Sequence, residues 1–164
     1  NELAFMQRLL QEGYEQPDVI VVACGINDTA SYTEIYSDEL FEKKLYTDRD
    51  SLDDSVKKTL GGALRANLEA LKELYPDSMI IVSTPIQSAY GYLRPYIPNT
   101  CTWIKKVAEY YSIPVIDAYS ESGITAESEK GWNDTSYTGK GTEGKYLFDG
   151  LHPNSDGYKL LSDY

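Results

Sequence analysis

An unbroken run of apolar residues at positions 19–24, Val-Ile-Val-Val-Ala-Cys, limits what this chain can fold into more than any other feature of its sequence. A strand with no alternation of apolar and polar residues is typical of a sheet that is covered on both faces. The same run is the longest apolar stretch and is far too short to cross a bilayer, so we expect no membrane span. The run therefore predicts a buried strand of a parallel sheet.

Further apolar patterns place the other elements of the fold. In chain order, the predicted elements are a helix at 2–11, a strand at 19–24, a helix from Ser51 to about Leu74, a strand at 79–83, a helix at 99–111, a strand at 113–116 and a last helix from Asn154 or Ser155. Strands separated by helices indicate right-handed crossovers and an α/β fold, a three-layer sandwich with a parallel sheet flanked by helices. Residues 120–146 are rich in Gly, Ser, Thr, Glu and Lys and predict a long surface loop.

Length, charge and cysteine content narrow the class of protein. The chain is long enough for one domain with a buried core, and we predict a single domain over residues 1–164. A net charge of −11 leaves no basic excess to neutralise phosphates, so we expect no nucleic-acid partner. The two cysteines form no disulfide framework. These features leave the localisation and the oligomeric state open.

The first motif that can carry chemistry is Gly25-Ile26-Asn27-Asp28, directly after the first predicted strand. One interpretation is a plain turn, in which Gly relaxes the backbone and Asn and Asp make local hydrogen bonds. The other interpretation is that the Asn27 amide points into a crevice at the carboxyl ends of the strands and donates a hydrogen bond to an oxyanion.

The second motif is Asp149-Gly150-Leu151-His152-Pro153, which contains the only histidine of the chain. A lone histidine is more often structural than catalytic. An Asp three residues before a His, across a tight Gly turn, can however hold one ring nitrogen and leave the other as a base. Pro153 fixes the backbone after the ring, and the predicted helix start follows at once.

Together these two motifs resemble the third and fifth sequence blocks of the SGNH (GDSL-like) hydrolases, and the resemblance covers the whole chain. It implies a flavodoxin-like sheet and a serine esterase that forms an acyl-enzyme on a small-molecule or carbohydrate ester, with no metal and no organic cofactor. His152 would be the general base, Asp149 its orienting partner and Asn27 an oxyanion donor. Gly25 and Asn27 would line the substrate site.

The sequence departs from the family pattern at its beginning. The Gly-Asp-Ser block that carries the nucleophile, and the block with a second oxyanion glycine, precede the Gly-x-Asn-Asp strand in the family. Residues 1–18 contain neither block and no serine. We therefore expect the nucleophile upstream of residue 1, in a domain that lacks its first strand here and whose last helix is cut short.

Three questions about activity remain open from the residues. A non-catalytic binding module of the same fold is the main alternative, since it needs no nucleophile. A metal-dependent hydrolase is disfavoured, because one histidine and no clustered ligand spacing make a poor metal site. An acetylated carbohydrate substrate is suggested only by aromatic residues in predicted loops: Tyr90, Tyr92, Tyr96, Trp132 and Tyr137.

Overall fold

The computed structural model describes residues 11–13, 15–28, 59–129 and 144–163. In chain order these contain β1 Val19–Ala23, α1 Leu60–Leu74, β2 Met79–Ser83, α2 Ile97–Tyr110, β3 Val115–Ile116, α3 Ala118–Glu121, a 3₁₀ turn Ala126–Ser128 and α4 Ser155–Ser162. The predicted helix at 2–11, apart from its last residue, and the predicted cap Ser51 lie outside the described residues. The prediction of one domain over residues 1–164 stays a prediction.

The strands form a parallel three-stranded sheet in the order β1-β2-β3, flanked by helices, which confirms the predicted α/β class. The Met79 N–H donates to the Asp18 carbonyl at 2.8 Å, which sets Met79 beside Val19. On the other side of β2, the N–H groups of Val82 and Thr84 donate to the carbonyls two residues apart at Pro114 and Ile116, each at 3.0 Å. The donors on β2 and the acceptors at β3 both advance by two residues in the same chain direction, as they do in a parallel pair of strands.

Burial along β1 differs from the expectation of a strand covered on both faces. Ile20 and Val22 are buried, whereas Val19 and Val21 are 50% and 54% exposed. Met79, beside Val19 in the sheet, is 51% exposed. Successive side chains of a strand point to opposite faces, so an all-apolar run fixes the residue types but not which faces are covered. The prediction of burial on both faces is wrong for the described part of the chain.

The bounds of two predicted helices also differ from the structure. Thr59 has extended backbone angles and its hydroxyl accepts a hydrogen bond from the Gly62 N–H at 3.0 Å, so α1 begins at Leu60. The second helix begins at Ile97, two residues before the predicted cap Asn99. Trp103, expected to face inward, is only half-buried, and the Lys106 ammonium lies 4.0 Å from the centre of its ring.

The described residues divide into two compact units. The first comprises residues 11–22 (without 14), 59–82 and 103–115, and the second comprises residues 23–28, 83–102, 116–129 and 144–163. No helix in these ranges is long and apolar enough to cross a membrane.

The first unit buries a guanidinium among its apolar side chains. Arg65 of α1 is fully buried, and its Nε donates to the Tyr111 hydroxyl at 2.9 Å. The same hydroxyl donates to the Glu69 carboxylate, which also lies 3.6 Å from an Arg65 guanidinium nitrogen. Burial and the hydrogen bond to Glu69 raise the pKa of Tyr111. These contacts offset part of the cost of burying the charge.

The segment predicted as a long surface loop is only partly on the surface. Its first part forms the end of α3 and the 3₁₀ turn, and its buried residues are Ser122, Ile124, Ala126 and Glu129. Residues 130–143 lie outside the described part of the chain. The polar composition of residues 120–146 predicted an exposed loop, but the four buried side chains of this segment pack inside the second unit.

Val82→Ala is expected to lower the free energy of unfolding by about 2 kcal/mol, because Val82 of β2 is 0% exposed and loses two buried carbons. Val21→Ala, the same change at a 54% exposed position of β1, should stay within about 0.5 kcal/mol. Urea unfolding of both variants measures the difference. Equal losses would contradict the assignment of the covered face.

Candidate functional site

The first motif forms a turn at the carboxyl end of β1. Gly25 is buried and has a φ of +101°, a backbone conformation that side chains rarely adopt, so glycine is required there. Ile26 is partly buried and packs against a cluster of Leu93, Ile97 and Cys101. Asn27 is exposed. Ile26 is therefore fixed by packing, while the Asn27 side chain beside it is accessible. This geometry agrees both with a plain turn and with an oxyanion donor.

The second motif forms a tight turn around one carboxylate. Asp149 Oδ1 accepts hydrogen bonds from the backbone N–H groups of Leu151 at 3.0 Å and His152 at 2.8 Å. The other oxygen, Oδ2, lies 2.7 Å from His152 Nδ1. Gly150 has a φ of +82°, which lets the chain reverse within this spacing. The structure thus pairs the Asp and His that the sequence singled out.

The electrostatics of this pair favour an ionised carboxylate. Burial works to raise the pKa of Asp149, but the hydrogen bonds from the backbone and ring of His152 and from the Leu151 N–H outweigh it. The net pKa therefore lies below its ordinary value of 3.8. A carboxylate on Nδ1 favours the tautomer that leaves a lone pair on Nε2. The His152 side chain is 61% exposed, so the ring is accessible from solvent.

Both motifs rest on the same apolar support. Ile26 of the first turn and Leu151 of the second pack against the cluster of Leu93, Ile97 and Cys101. Two helical positions one turn apart, Ile97 and Cys101, are 1% and 3% exposed. A close-packed cluster of this kind transmits the position of one turn to the other.

Sequence reasoning missed a buried serine that holds the histidine turn. Ser88 is 1% exposed, and its hydroxyl donates to the Gly150 carbonyl at 2.8 Å. The Ala89 N–H donates to the same oxygen at 2.9 Å, and the Tyr90 N–H donates to the Ser88 hydroxyl at 3.0 Å. Ser88 is 62 positions from its partner in the chain, so no local pattern could have identified it.

Aromatic side chains lie around the histidine turn and in the loop after β2. The Phe148 ring stacks on the His152 imidazole, with 5.7 Å between ring centres and 22° between planes, and is 51% exposed. Tyr92 and Tyr96 are 59% and 48% exposed, whereas Tyr90 packs partly against the apolar cluster. The predicted loop aromatics Trp132 and Tyr137 lie outside the described residues. Phe148 was not singled out, although it stands only four residues before the histidine.

Within residues 11–28 (without 14), 59–129 and 144–163, no group of three or more His, Cys, Asp or Glu side chains is arranged to hold a metal ion.

The fold and the two turns define an α/β protein with an Asp–His pair on a loop before a helix. Residues 1–160 match the family model of the GDSL-like Lipase/Acylhydrolase family, and the chain belongs to this family. This confirms the resemblance predicted from the two motifs. No curated protein matches the sequence.

Solved structures share the fold at low sequence identity. A Lactobacillus plantarum protein is 20% identical with a TM-score of 0.64, covering 94% of this chain and 67% of its own. A possible lipase from Chitinophaga pinensis is 16% identical with a TM-score of 0.61, covering 99% and 77%. A variant of an acetyl-xylooligosaccharide esterase from Geobacillus is 16% identical with a TM-score of 0.54, covering 99% and 65%. The chain thus spans about two thirds of the length of most of these structures.

Asp149→Asn is expected to destabilise the protein in a pH-dependent manner. A carboxyl whose pKa is lowered by folding contributes stability that is present above its ordinary value of 3.8 and lost as the pH falls through the folded value. The difference in unfolding free energy between the parent and Asp149→Asn should therefore be largest above that value and shrink at lower pH. Urea titrations at several pH values measure it.

Asp77→Asn provides the control, since Asp77 is an exposed carboxylate in a turn and undergoes the same loss of charge. Its effect should be small throughout the same pH range. A difference for Asp149→Asn that does not vary with pH would contradict the contribution of the ionised carboxylate.

Proposed function

We propose that the chain is part of a serine ester hydrolase, in which His152 is the general base, Asp149 its orienting partner and Asn27 an oxyanion donor. The observation that carries this proposal is the 2.7 Å contact between Asp149 Oδ2 and His152 Nδ1, combined with the exposure of the ring. A base must be held in one tautomer and still be reachable, and this pair meets both requirements.

In this mechanism a serine hydroxyl attacks the ester carbonyl while His152 Nε2 takes its proton. The tetrahedral intermediate collapses, the bond to the alcohol breaks, and His152 returns the proton to the leaving alcohol. Water then attacks the acyl-enzyme with His152 again as base, which releases the acid and restores the serine. Asp149 keeps its charge throughout and stabilises the imidazolium formed in each half-reaction.

Asn27 supplies a fixed dipole for the developing negative charge. Its amide follows a turn whose backbone is fixed by Gly25 and by the packing of Ile26, so little reorganisation is needed when the oxyanion forms. Gly25 belongs to the same substrate-facing turn in this proposal.

The nucleophile in this proposal is a serine that precedes residue 1. Residues 1–18 contain no serine, and in the family the Gly-Asp-Ser block comes before the Gly-x-Asn-Asp strand. In the described part of the sheet β1 pairs with β2 on one side only. Natural sheets rarely leave a long apolar edge open, which supports a further strand beside β1.

The substrate in this proposal is a small ester, with an acetylated carbohydrate as the finer suggestion. The Geobacillus neighbour is an acetyl-xylooligosaccharide esterase, and Tyr92 and Tyr96 offer exposed rings of the kind that pack on sugar faces. Hydrolysis rates on acetylated xylo-oligosaccharides and on a simple aryl acetate, measured in parallel, distinguish an esterase that prefers carbohydrate esters from a general esterase.

A fluorophosphonate probe followed by peptide mass analysis tests the nucleophile. We expect label on a serine outside residues 1–164 of the full-length protein, and loss of that label in His152→Ala because the hydroxyl is no longer activated. Label on a serine within residues 1–164 would contradict the proposed position. No label on folded full-length protein would overturn the esterase and favour the binding module.

Asn27→Ala in the full-length enzyme should lower kcat by about 10²- to 10³-fold with a small change in KM, because the donor acts on the transition state. Asn99→Ala removes the same group from an exposed position of α2 and should leave the rate unchanged. Steady-state kinetics on an aryl acetate measures both variants. Near-normal turnover in folded Asn27→Ala would rule out its role as oxyanion donor.

A further inference from the structure

A carboxylate outside both motifs is buried beside the chain segment that leads into the histidine turn. Glu129, which follows the 3₁₀ turn, is 3% exposed. Its Oε1 accepts from the Tyr146 N–H at 2.9 Å and from the Ser128 hydroxyl at 3.2 Å, and its Oε2 accepts from the Leu147 N–H at 3.2 Å. A buried carboxylate is tolerated only where hydrogen bonds replace those it made with water. The burial of Glu129 therefore depends on the backbone N–H groups of Tyr146 and Leu147.

The segment that Glu129 holds is paired with the backbone of His152. Leu147, which is 0% exposed, forms an antiparallel bridge with Pro153. The Phe148 N–H donates to the His152 carbonyl at 3.0 Å, and the Phe148 ring stacks on the imidazole. A displacement of residues 146–148 would therefore move both the backbone and the ring of His152.

Asn154 ties the same segment from the other end of the turn. Its Nδ2 donates to the carbonyls of Gly144 and Lys145 at 3.3 and 3.1 Å, and its backbone N–H donates to the Tyr146 carbonyl at 2.8 Å. Its Oδ1 accepts from the Asp156 and Gly157 N–H groups and caps α4. One side chain thus joins the segment 144–146 to the helix that follows His152.

The close approach of Gly144 shows how tightly this anchor is built. A Cβ at Gly144 would overlap the Glu129 carboxylate, and the Gly144 N–H donates to the Leu147 carbonyl at 2.8 Å. The chain therefore folds around the carboxylate with no room for a side chain there. Glu129, which is 23 positions before His152 in the sequence, therefore contacts the segment that pairs with the backbone of His152.

We infer that Glu129 is a positioning residue for His152: it fixes residues 146–147, which through the Leu147–Pro153 bridge and the Phe148–His152 hydrogen bond set the imidazole against Asp149. Its effect on catalysis rests on the function proposed above, whereas its effect on the geometry of the pair does not. Asn154 completes the anchor through the Gly144 and Lys145 carbonyls.

His152 is the only histidine of residues 1–164, so nuclear magnetic resonance of its ring, with the signals assigned by their loss in His152→Ala, reports on this turn. Glu129→Gln keeps the size of the side chain but turns one acceptor into a donor facing a backbone N–H. We expect the downfield Nδ1–H signal of the Asp149–His152 hydrogen bond to weaken or disappear, and the ring to populate both tautomers. In the full-length enzyme, kcat should fall on the order of 10- to 100-fold with little change in KM.

Glu127→Gln is the matched control, since it makes the same change of charge at an exposed position of the same 3₁₀ turn. It should leave the His152 signals and kcat unchanged. If Glu127→Gln altered the His152 spectrum as much as Glu129→Gln, a general charge effect would explain the result and the inference would be overturned.

Asn154→Asp tests the anchor without touching Glu129. A carboxylate still caps α4, but it replaces the Nδ2 donor that binds the Gly144 and Lys145 carbonyls. We expect an unchanged helix signal in circular dichroism and the same change in the His152 ring signals. This variant decides the matter if Glu129→Gln fails to fold.

The inference would be overturned, whatever the activity, if folded Glu129→Gln kept the Nδ1–H signal and the tautomer of the parent. If Glu129→Gln does not fold, the same result in Asn154→Asp would overturn it. Failure of the proposed function is distinguishable, because it would appear as absence of fluorophosphonate label in the parent protein. The spectrum of His152 does not depend on that label.

Discussion

The common direction of β1, β2 and β3 is the constraint on which the other features depend. Because parallel strands end at one edge of the sheet, the residues that follow them begin at that edge. Thr84 and Asp117, which follow β2 and β3, pair there at 3.3 Å, and the Thr84 hydroxyl also accepts from the Tyr119 N–H at 3.1 Å. These bonds fix where the loop after β2 starts, and that loop carries Ser88 to the Gly150 carbonyl.

The parts that the sequence predicted are those built from short-range interactions. Apolar runs indicated the strands, and Asn154 was one of two residues named as the start of the last helix, which it caps. The Asp149–His152 contact spans three residues across a glycine, so spacing alone limits where the two side chains can lie. Each of these interactions is complete within a few positions, and side-chain chemistry therefore decides it without help from the rest of the chain.

The parts that the sequence did not predict depend on distant residues. Ser51 and Thr59 are both suitable caps for a helix, and local preference cannot choose between them. The polar composition of 120–146 indicated a surface loop, yet Glu129 is buried because backbone N–H groups 17 and 18 positions away surround it. Burial of a carboxylate follows from what the fold brings to it, and composition carries no record of that.

The acidic character of the chain bears on how the proposed site stabilises charge. A net charge of −11 opposes a developing oxyanion, but screening limits this repulsion to about 8 Å at physiological ionic strength. Stabilisation of an oxyanion must then come from dipoles in direct contact with it, which is the role proposed for Asn27. In the proposed mechanism His152 becomes an imidazolium, and the carboxylate of Asp149, 2.7 Å from its Nδ1, is the charge in direct contact with it. The cationic base and the anionic intermediate of this proposal therefore place opposite demands on the site, and each would be met by a group held in direct contact by one of the two turns, both of which pack on the cluster of Leu93, Ile97 and Cys101.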